Sequence, residues 1–589
     1  MHNPYLDLIR TVWHYGKPWR FSIIGYYLAF IVAQGLLSLL PYALGRTIDV
    51  LQHFKPGDLS QVIFWLAFGL GMELLFWLFH GPARVIERQV ALKIQQAFRL
   101  NLYAELTRLP LKWHQDHHSG NIITRINRSS IALHRFASDQ FVYIETIVQF
   151  IASIGFLFWI SIPVGLTSLL ASSLILGIVF LFDRKLIPLY HAQNEIDNHV
   201  GAILFDYISN ITTIITLRLS ELTSSNLSQR ILSVWPFFRK EAVLNEGKWF
   251  FMRVLLSFVQ AIILIGYTLI TLKTTGTILI GLVVMIIRYQ QDLERVFSEL
   301  STHWGDLVRM DTEVKGIQPI LDDIKQLAHQ PKGATIARQW HTLKIENLAF
   351  HHAPGSARGQ IFDAMHFTIK RGEKIALIGL SGGGKSTLMN LLCGLYTPSK
   401  VTLTIDDMSF DSLEPLQAIA TLIPQDPEIF ENTIAFNIAL DLPTEPAELD
   451  KVISLACFSD VLATLPDGFK TDIREKGLNL SVGQKQRLAL ARGLFAARLS
   501  SLILMDEPTS SVDLPTEKEI LSGVLRAFKE AAMIVSIHRL HLLSQFDRVI
   551  MLQQGVIVAD GTTAELLNTP GPVYDLWQAY QQEEGPNES

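Results

Sequence analysis

IALIGLSGGGKSTLMNLLCGL, residues 375–395, decides how the second half of this 589-residue chain folds. Four apolar residues run into a glycine-dense turn, and a mostly apolar helix pattern follows. That is the strand, loop and helix order of a phosphate-binding loop, and GLSGGGKST at 379–387 fits its pattern G-x-x-x-x-G-K-[ST]. Gly379, Gly382, Gly383 and Gly384 let backbone N–H groups close around phosphate. Lys385 reaches the outer phosphates and Ser386 can ligate magnesium, with Leu380, Ser381 and Thr387 completing the nucleotide-contacting set.

Downstream, the apolar strand in LILMDEPTSSVD at 502–513 ends in two adjacent carboxylates. In a magnesium-nucleotide site these divide the work: Asp506 holds the metal, and Glu507 polarises the attacking water. Between the loop and this strand lies LSVGQKQRLALARGL at 480–494. In that order, the three segments resemble the ATP-binding-cassette family, with LSVGQ as its signature. Ser481, Gly483 and Gln484 sit at the start of an amphipathic helix whose N-terminus can face an anion. The resemblance implies that this anion is the γ-phosphate of ATP bound to a second subunit.

Further positions follow from the resemblance. Gln425 in LIPQDPEIF is similar to the glutamine that senses magnesium and contacts the membrane domain, and His538 in IVSIHRL to the switch histidine at the γ-phosphate. The implied catalytic set is therefore Glu507, His538 and Gln425, and the implied metal set is Ser386, Gln425 and Asp506. Asp513 fits the loop that crosses the dimer interface. TDIREKG at 471–477 is similar to the segment through which exporters feel the opposite coupling helix. Three departures stand out: His351 and His352 where the family has an adenine-stacking Tyr, with His352 the expected stacking residue; Val482 in place of a glycine; and Arg474 and Lys476 where the family tends to have Gly and Arg.

Before residue 290 the chain changes character. Apolar runs occupy 21–45, 60–80, 140–161, 164–182, 250–272 and 276–288, most of them near the roughly 20 residues that cross hydrocarbon. Six spans are expected. Arg84, Arg88, Lys93, Arg99, Arg108, Lys112, Arg125 and Arg128 cluster between the second and third runs, while the alternate turns hold far fewer basic residues, Lys55 with Arg46 at the edge of the first run, and Lys273. Basic loops stay cytosolic, so both termini are expected there. Roughly 60 residues separate spans two and three, and again four and five, enough for paired helical arms reaching about 40 Å below the membrane. LPLKWHQDHHSGNIITRI at 109–126 and SNITTIITLRLSE at 209–221 resemble the two coupling segments of six-helix exporters.

Within the runs, Glu73 and Glu145 either line a water-filled path or pair with Arg253 or a neighbouring helix. Gln34, Gln149 and Gln260 are path-lining groups or interhelical hydrogen-bond partners. His114, His117 and His118 have the spacing of a metal site but fall where a solvated coupling segment is expected.

Composition agrees with a membrane protein: 49% of residues are hydrophobic and 18% charged, and mean hydropathy is +0.27. A net charge of -5 offers no basic field for nucleic acid. Cys393 and Cys457 have no metal or redox spacing and read as reduced cytosolic core residues. No signal-peptide pattern precedes the first apolar run, which is expected to be retained.

The expected fold is multidomain: an all-α six-helix transmembrane domain over 1–320, a linker over 321–340, and an α/β phosphate-loop ATPase domain over 341–589. The resemblance implies a half-transporter, expected in a bacterial inner (plasma) membrane, that binds ATP and Mg2+. Its partners would be a second subunit, the lipid bilayer and a hydrophobic or amphipathic small molecule. A homodimer is simplest and a heterodimer stays open. ATP-driven export by alternating access is the leading function. A small-molecule importer, as for a siderophore, and an ATP-gated channel or regulator are the alternatives on the same fold.

Overall fold

The computed structural model describes residues 3–117, 119–327, 339–351, 360–380, 382–426, 428–473 and 480–583. The chain divides into two compact units, Met1–Thr107 with His118–Gln326 and Arg108–His117 with Leu327–Ser589. The expected linker begins inside a helix, Gln318–Leu327, and residues 328–338 lie outside the described residues.

The second unit is built on ten strands: β1 Thr342–His351, β2 Gln360–Lys370, β3 Lys374–Ile378, β4 Lys400–Ile405, β5 Met408–Phe410, β6 Ala420–Ile423, β7 Leu502–Asp506, β8 Ala532–Ser536, β9 Arg548–Gln553 and β10 Val556–Thr562. An antiparallel sheet runs in the order β2-β1-β4-β5, and a six-stranded sheet in the order β10-β9-β3-β8-β7-β6. In the larger sheet β9, β3, β8, β7 and β6 pair in parallel and only β10 is antiparallel. Every residue of β3, β7 and β8 is buried. This explains their unbroken apolar sequences, since a parallel strand is covered on both faces. The two-residue period of a strand sorts them between two cores. Ala376, Ile378, Ile503, Met505, Met533 and Val535 enter one, and Ile375, Leu377, Leu502, Leu504 and Ile534 the other.

The short helix Leu111–Asp116, from the first predicted coupling segment, belongs to this second unit although its sequence neighbours belong to the first. Trp113 anchors it, 5% exposed. His117 lies flat on that indole, ring centroids 4.2 Å apart, and its Nδ1 is 2.8 Å from the Trp113 carbonyl oxygen. This stacking occupies His117 structurally. His118 lies outside the described residues, and among those described no three His, Cys, Asp or Glu side chains gather as a metal set.

The first unit is helical. Five stretches are long and apolar enough to cross a membrane: Lys17–Gln52, Leu59–Leu106, Ser119–Ile160, Ile162–Ser209 and Ser220–Thr274. The expected sixth span opens the helix Ile280–Lys315, but its apolar start gives way at Arg288, Asp292, Glu294 and Arg295, so its composition falls short of the other five. One face is still buried, with Met285, Tyr289, Leu293 and Phe297 recurring every four residues and packing on Ile175, Val179, Met252 and Ile263. Helices Leu59–Leu106 and Ile162–Ser209 are each 48 residues long, about 72 Å at 1.5 Å per residue. Each is a single helix that runs from an apolar stretch into a polar one.

Of the intramembrane polar residues, Gln34 donates to Gln149 across helices at 3.4 Å, which favours the interhelical reading for that pair. Arg253 approaches Glu294, at 3.8 Å, rather than Glu73 or Glu145. Both of those glutamates are half-buried.

At the short-turn end, helices Leu40–Gln52 and Ile280–Lys315 meet through two glycines. A Cβ on Gly281 would lie 2.0 Å from the Gly45 carbonyl oxygen. Asp49 Oδ1 accepts from the Gly281 N–H at 2.8 Å, and Gln52 bonds both the Ile278 carbonyl and the Ile280 N–H, each at 2.8 Å. Gly281→Leu should therefore destabilise the membrane unit by about 1–3 kcal/mol, seen as a lower thermal midpoint of the detergent-solubilised protein. Gly35→Leu, where no atom lies within 4 Å of the added carbon, is the control. Equal midpoints would contradict this packing.

Candidate nucleotide site

Four segments singled out in the sequence leave the same edge of the parallel sheet, where the C-terminal ends of its strands open a crevice. The phosphate loop follows β3, Gln425 follows β6, Asp506 closes β7, and His538 lies two residues beyond β8.

The phosphate loop needs its glycines for space as well as torsion. Gly379 has φ +146°, and a Cβ there would meet the Leu552 carbonyl oxygen at 2.1 Å. Gly384, φ +104°, caps the helix Lys385–Leu392, and its Cβ would press on the Phe362 ring at 3.0 Å. Lys385 is buried and its Nζ donates to the Gly379 carbonyl at 2.7 Å, which ties the loop across itself. Burial pushes its ammonium below the usual lysine range, against the pull of Glu507 and Asp506. Ser386 stands exposed in the first helical turn beside buried Thr387. Ser381 and the expected stacking residue His352 lie outside the described residues, as do Arg474 and Lys476.

Glu507 is the convergence point. Its backbone sits at φ +45°, a left-handed conformation that is uncommon for a side-chain-bearing residue and found where function over-determines it. Gln425 Nε2 donates to Glu507 Oε2 at 2.7 Å, and His538 Nε2 pairs with Glu507 Oε1. All three residues expected to be catalytic therefore meet at one carboxylate. Asp506, 7% exposed, stands beside it. A cleft of about 310 Å³ opens here, lined by Glu507, Ser510, Ser536, His538 and Arg539 among others.

Ser536 was not singled out in the sequence. Fully buried at the end of β8, its hydroxyl donates to Asp506 Oδ1 at 2.7 Å and accepts from the Glu507 N–H at 2.9 Å. The available signal was a lone hydroxyl closing the apolar strand AMIVS two residues before His538. Gln486 was missed as well. From inside the signature helix it donates to the Glu507 carbonyl at 3.2 Å and to Ser510 Oγ at 3.0 Å, and accepts from the Ser511 N–H at 2.8 Å. It thus locks the segment after Asp506 to that helix.

The signature is a capping box at the N-terminus of the helix Val482–Ala496. Ser481 Oγ accepts from the Gln484 N–H at 3.2 Å, while Gln484 Oε1 accepts from the Ser481 N–H at 2.9 Å. Val482 is 63% exposed, so the departure from glycine meets no steric barrier. Gly483 cannot vary in the same way, because a Cβ would lie 2.9 Å from the Ser511 carbonyl oxygen. Asp513 caps the next helix, Leu514–Ala527, accepting from the Thr516 N–H at 3.1 Å, and that hydrogen bonding holds its carboxyl below the usual range.

The donor set suits a magnesium nucleotide. Asp506, Ser386 and Gln425 offer hard oxygen donors, and the glycine loop leaves no side chain between its N–H groups and a phosphate. Ser536→Ala would leave the Asp506 and Glu507 groups without their shared partner, a cost of about 1–3 kcal/mol. ATP turnover should fall while a fluorescent ATP analogue still binds. Wild-type turnover in Ser536→Ala would show that this link does not position Glu507.

Comparison with known proteins places these features in a family. The model described as ABC transporter matches residues 362–510, and the model described as ABC transporter transmembrane region matches residues 23–291. An ATM1-type heavy metal exporter of Novosphingobium aromaticivorans is 24% identical over 571 residues, 95% of this chain and 92% of that protein. A mitochondrial iron-sulfur clusters transporter of Oryzias latipes is 33% identical over 277 residues, 46% of this chain and 35% of that protein. A Staphylococcus aureus protein with a provisional multidrug export ATP-binding/permease name is 23% identical over 580 residues, 97% of this chain and 99% of that protein. A solved structure of a bacterial Atm1-family ABC exporter with ATP bound superposes with a TM-score of 0.78 at 22% identity, covering 95% of this chain and 99% of that one. The chain is a multi-pass membrane ATPase of the ATP-binding-cassette transporter family, an exporter-type half-transporter with its membrane and ATPase regions fused.

Proposed function

We propose that this chain exports an amphipathic organic molecule as a homodimer, by alternating access driven by ATP. The observation that carries the reading is the meeting of Gln425 and His538 at Glu507, beside an Asp506 held by Ser536. One cassette therefore holds a full catalytic set, and two copies suffice for two competent sites. This weighs against a regulatory or channel role, in which catalytic groups are dispensable.

In this mechanism Glu507 acts as general base toward water, with Gln425 and His538 orienting its carboxylate. Lys385 and the loop N–H groups hold the phosphates, and Asp506, Ser386 and Gln425 would hold Mg2+. When bound, the ion supplies charge neutralisation between the phosphate oxygens. The signature's place in the sheet supports a second chain. Its helix packs on β6, while the phosphate loop follows β3, and β8 and β7 lie between them. Three strand spacings amount to about 14 Å, so a second copy is the natural source of the signature facing each ATP.

Heavy metal and iron-sulfur cargoes belong to the relatives' names. Both cysteines of this chain, Cys393 and Cys457, lie in the ATPase half, so its spans carry no thiolate for a soft metal. An organic substrate that partitions into apolar spans fits better.

ATP hydrolysis in lipid vesicles, measured across a compound panel, tests the reading. A subset of amphipathic compounds should stimulate turnover, and Glu507→Gln should lower it by about 10²–10⁴-fold. Wild-type hydrolysis by Glu507→Gln would remove Glu507 as the base. A full panel without stimulation or transport would remove the exporter assignment.

A further inference from the structure

A small cavity of about 20 Å³ lies between helices Ile162–Ser209, Trp235–Thr275 and Ile280–Lys315. Its polar lining comes from Ser168, Ser172, Gln260, Gln290 and Glu294. Ser168 is 3% exposed and Gln290 9%, and neither Ser168 Oγ nor Gln290 Oε1 has a hydrogen-bond partner. Buried polar atoms are ordinarily satisfied, and leaving one unpaired in an apolar layer costs free energy. These groups lie within apolar packing that includes Ile175 and Phe297.

We propose that this cavity binds a primary ammonium group, the head of an amphipathic cation, as a subsite of the export path. The inference rests on the exporter reading above. Three properties of the lining select that head. Gln290 Oε1 and Glu294 are acceptors, and Ser168 Oγ can accept, so a group with three N–H donors matches them. Glu294 adds negative charge, and its contact with Arg253, 3.8 Å between side chains 43% and 77% exposed, is long and open. The volume admits a single group of water size, which an ammonium satisfies and a trimethylammonium does not.

The test uses the full-length protein in phosphatidylcholine vesicles and measures saturable binding of radiolabelled decylamine, with decyltrimethylammonium and decanol as comparisons. Decylamine should bind saturably, and the other two should fail to compete. Gln290→Leu and the milder Ser168→Ala should each weaken decylamine binding by tenfold or more, with elution profiles reporting that both variants fold. Adding phosphatidylethanolamine separates the sources of the ammonium: competition would assign the subsite to aminophospholipid, and its absence to free amines. Equal binding of decyltrimethylammonium, or wild-type decylamine affinity in both variants, would overturn the proposal. If other compounds are still transported in that case, the exporter reading stands without this subsite. If decylamine binds through Gln290 but nothing is transported, the subsite stands and the exporter reading falls.

Discussion

One buried hydroxyl fixes the geometry on which the ATPase depends. Ser536 at the end of β8 bonds both the Asp506 carboxylate and the Glu507 N–H at the end of β7. The parallel register that pairs Asp506 with Ser536 makes this contact possible, and the contact in turn supports the left-handed turn at Glu507. With that turn in place, Gln425 after β6 and His538 after β8 both reach the Glu507 carboxylate. The site is thus a property of strand ends at the buried centre of the sheet, and each candidate catalytic side chain is placed by backbone that other elements hold.

The signature follows the same logic from the helix that packs on β6. A capping box fixes the N-terminus of its helix, and Gln486 within that helix grips the backbone that carries Glu507. The signature helix and the backbone that carries Glu507 are therefore mechanically linked within one chain. If the phosphate facing this helix belongs to ATP held by another copy, the link makes each subunit's base responsive to its partner.

Much of this was legible in the residues because the chemistry is local. Glycines that must be glycine, two carboxylates after an apolar strand, and a Ser-x-x-Gln start to a helix are contiguous patterns whose meaning survives without a fold. The long apolar helices were legible too, since hydropathy needs no fold to be read. What could not be read was anything set by register across strands or helices. Ser536 looks like any strand-ending serine until β7 lies beside it, and Gln486 looks like a surface amide until the segment around Ser511 folds over it. In the membrane half, Gln34 and Gln149 are far apart in sequence, and only packing shows that they meet. Likewise, the unpaired Ser168 and Gln290 emerge only when three helices close around them.

The central claim is that each ATP is enclosed between the phosphate loop of one chain and the signature of another. Its most direct test is disulfide trapping between two differently tagged chains, both lacking Cys393 and Cys457 and carrying Glu507→Gln to hold ATP. One chain carries Leu380→Cys within the phosphate loop and the other Val482→Cys in the signature, both exposed positions. The account predicts a cross-linked pair of the two tags whose yield rises with ATP and magnesium. No ATP-dependent product between the chains, together with an internal disulfide in a single chain carrying both cysteines, would contradict it.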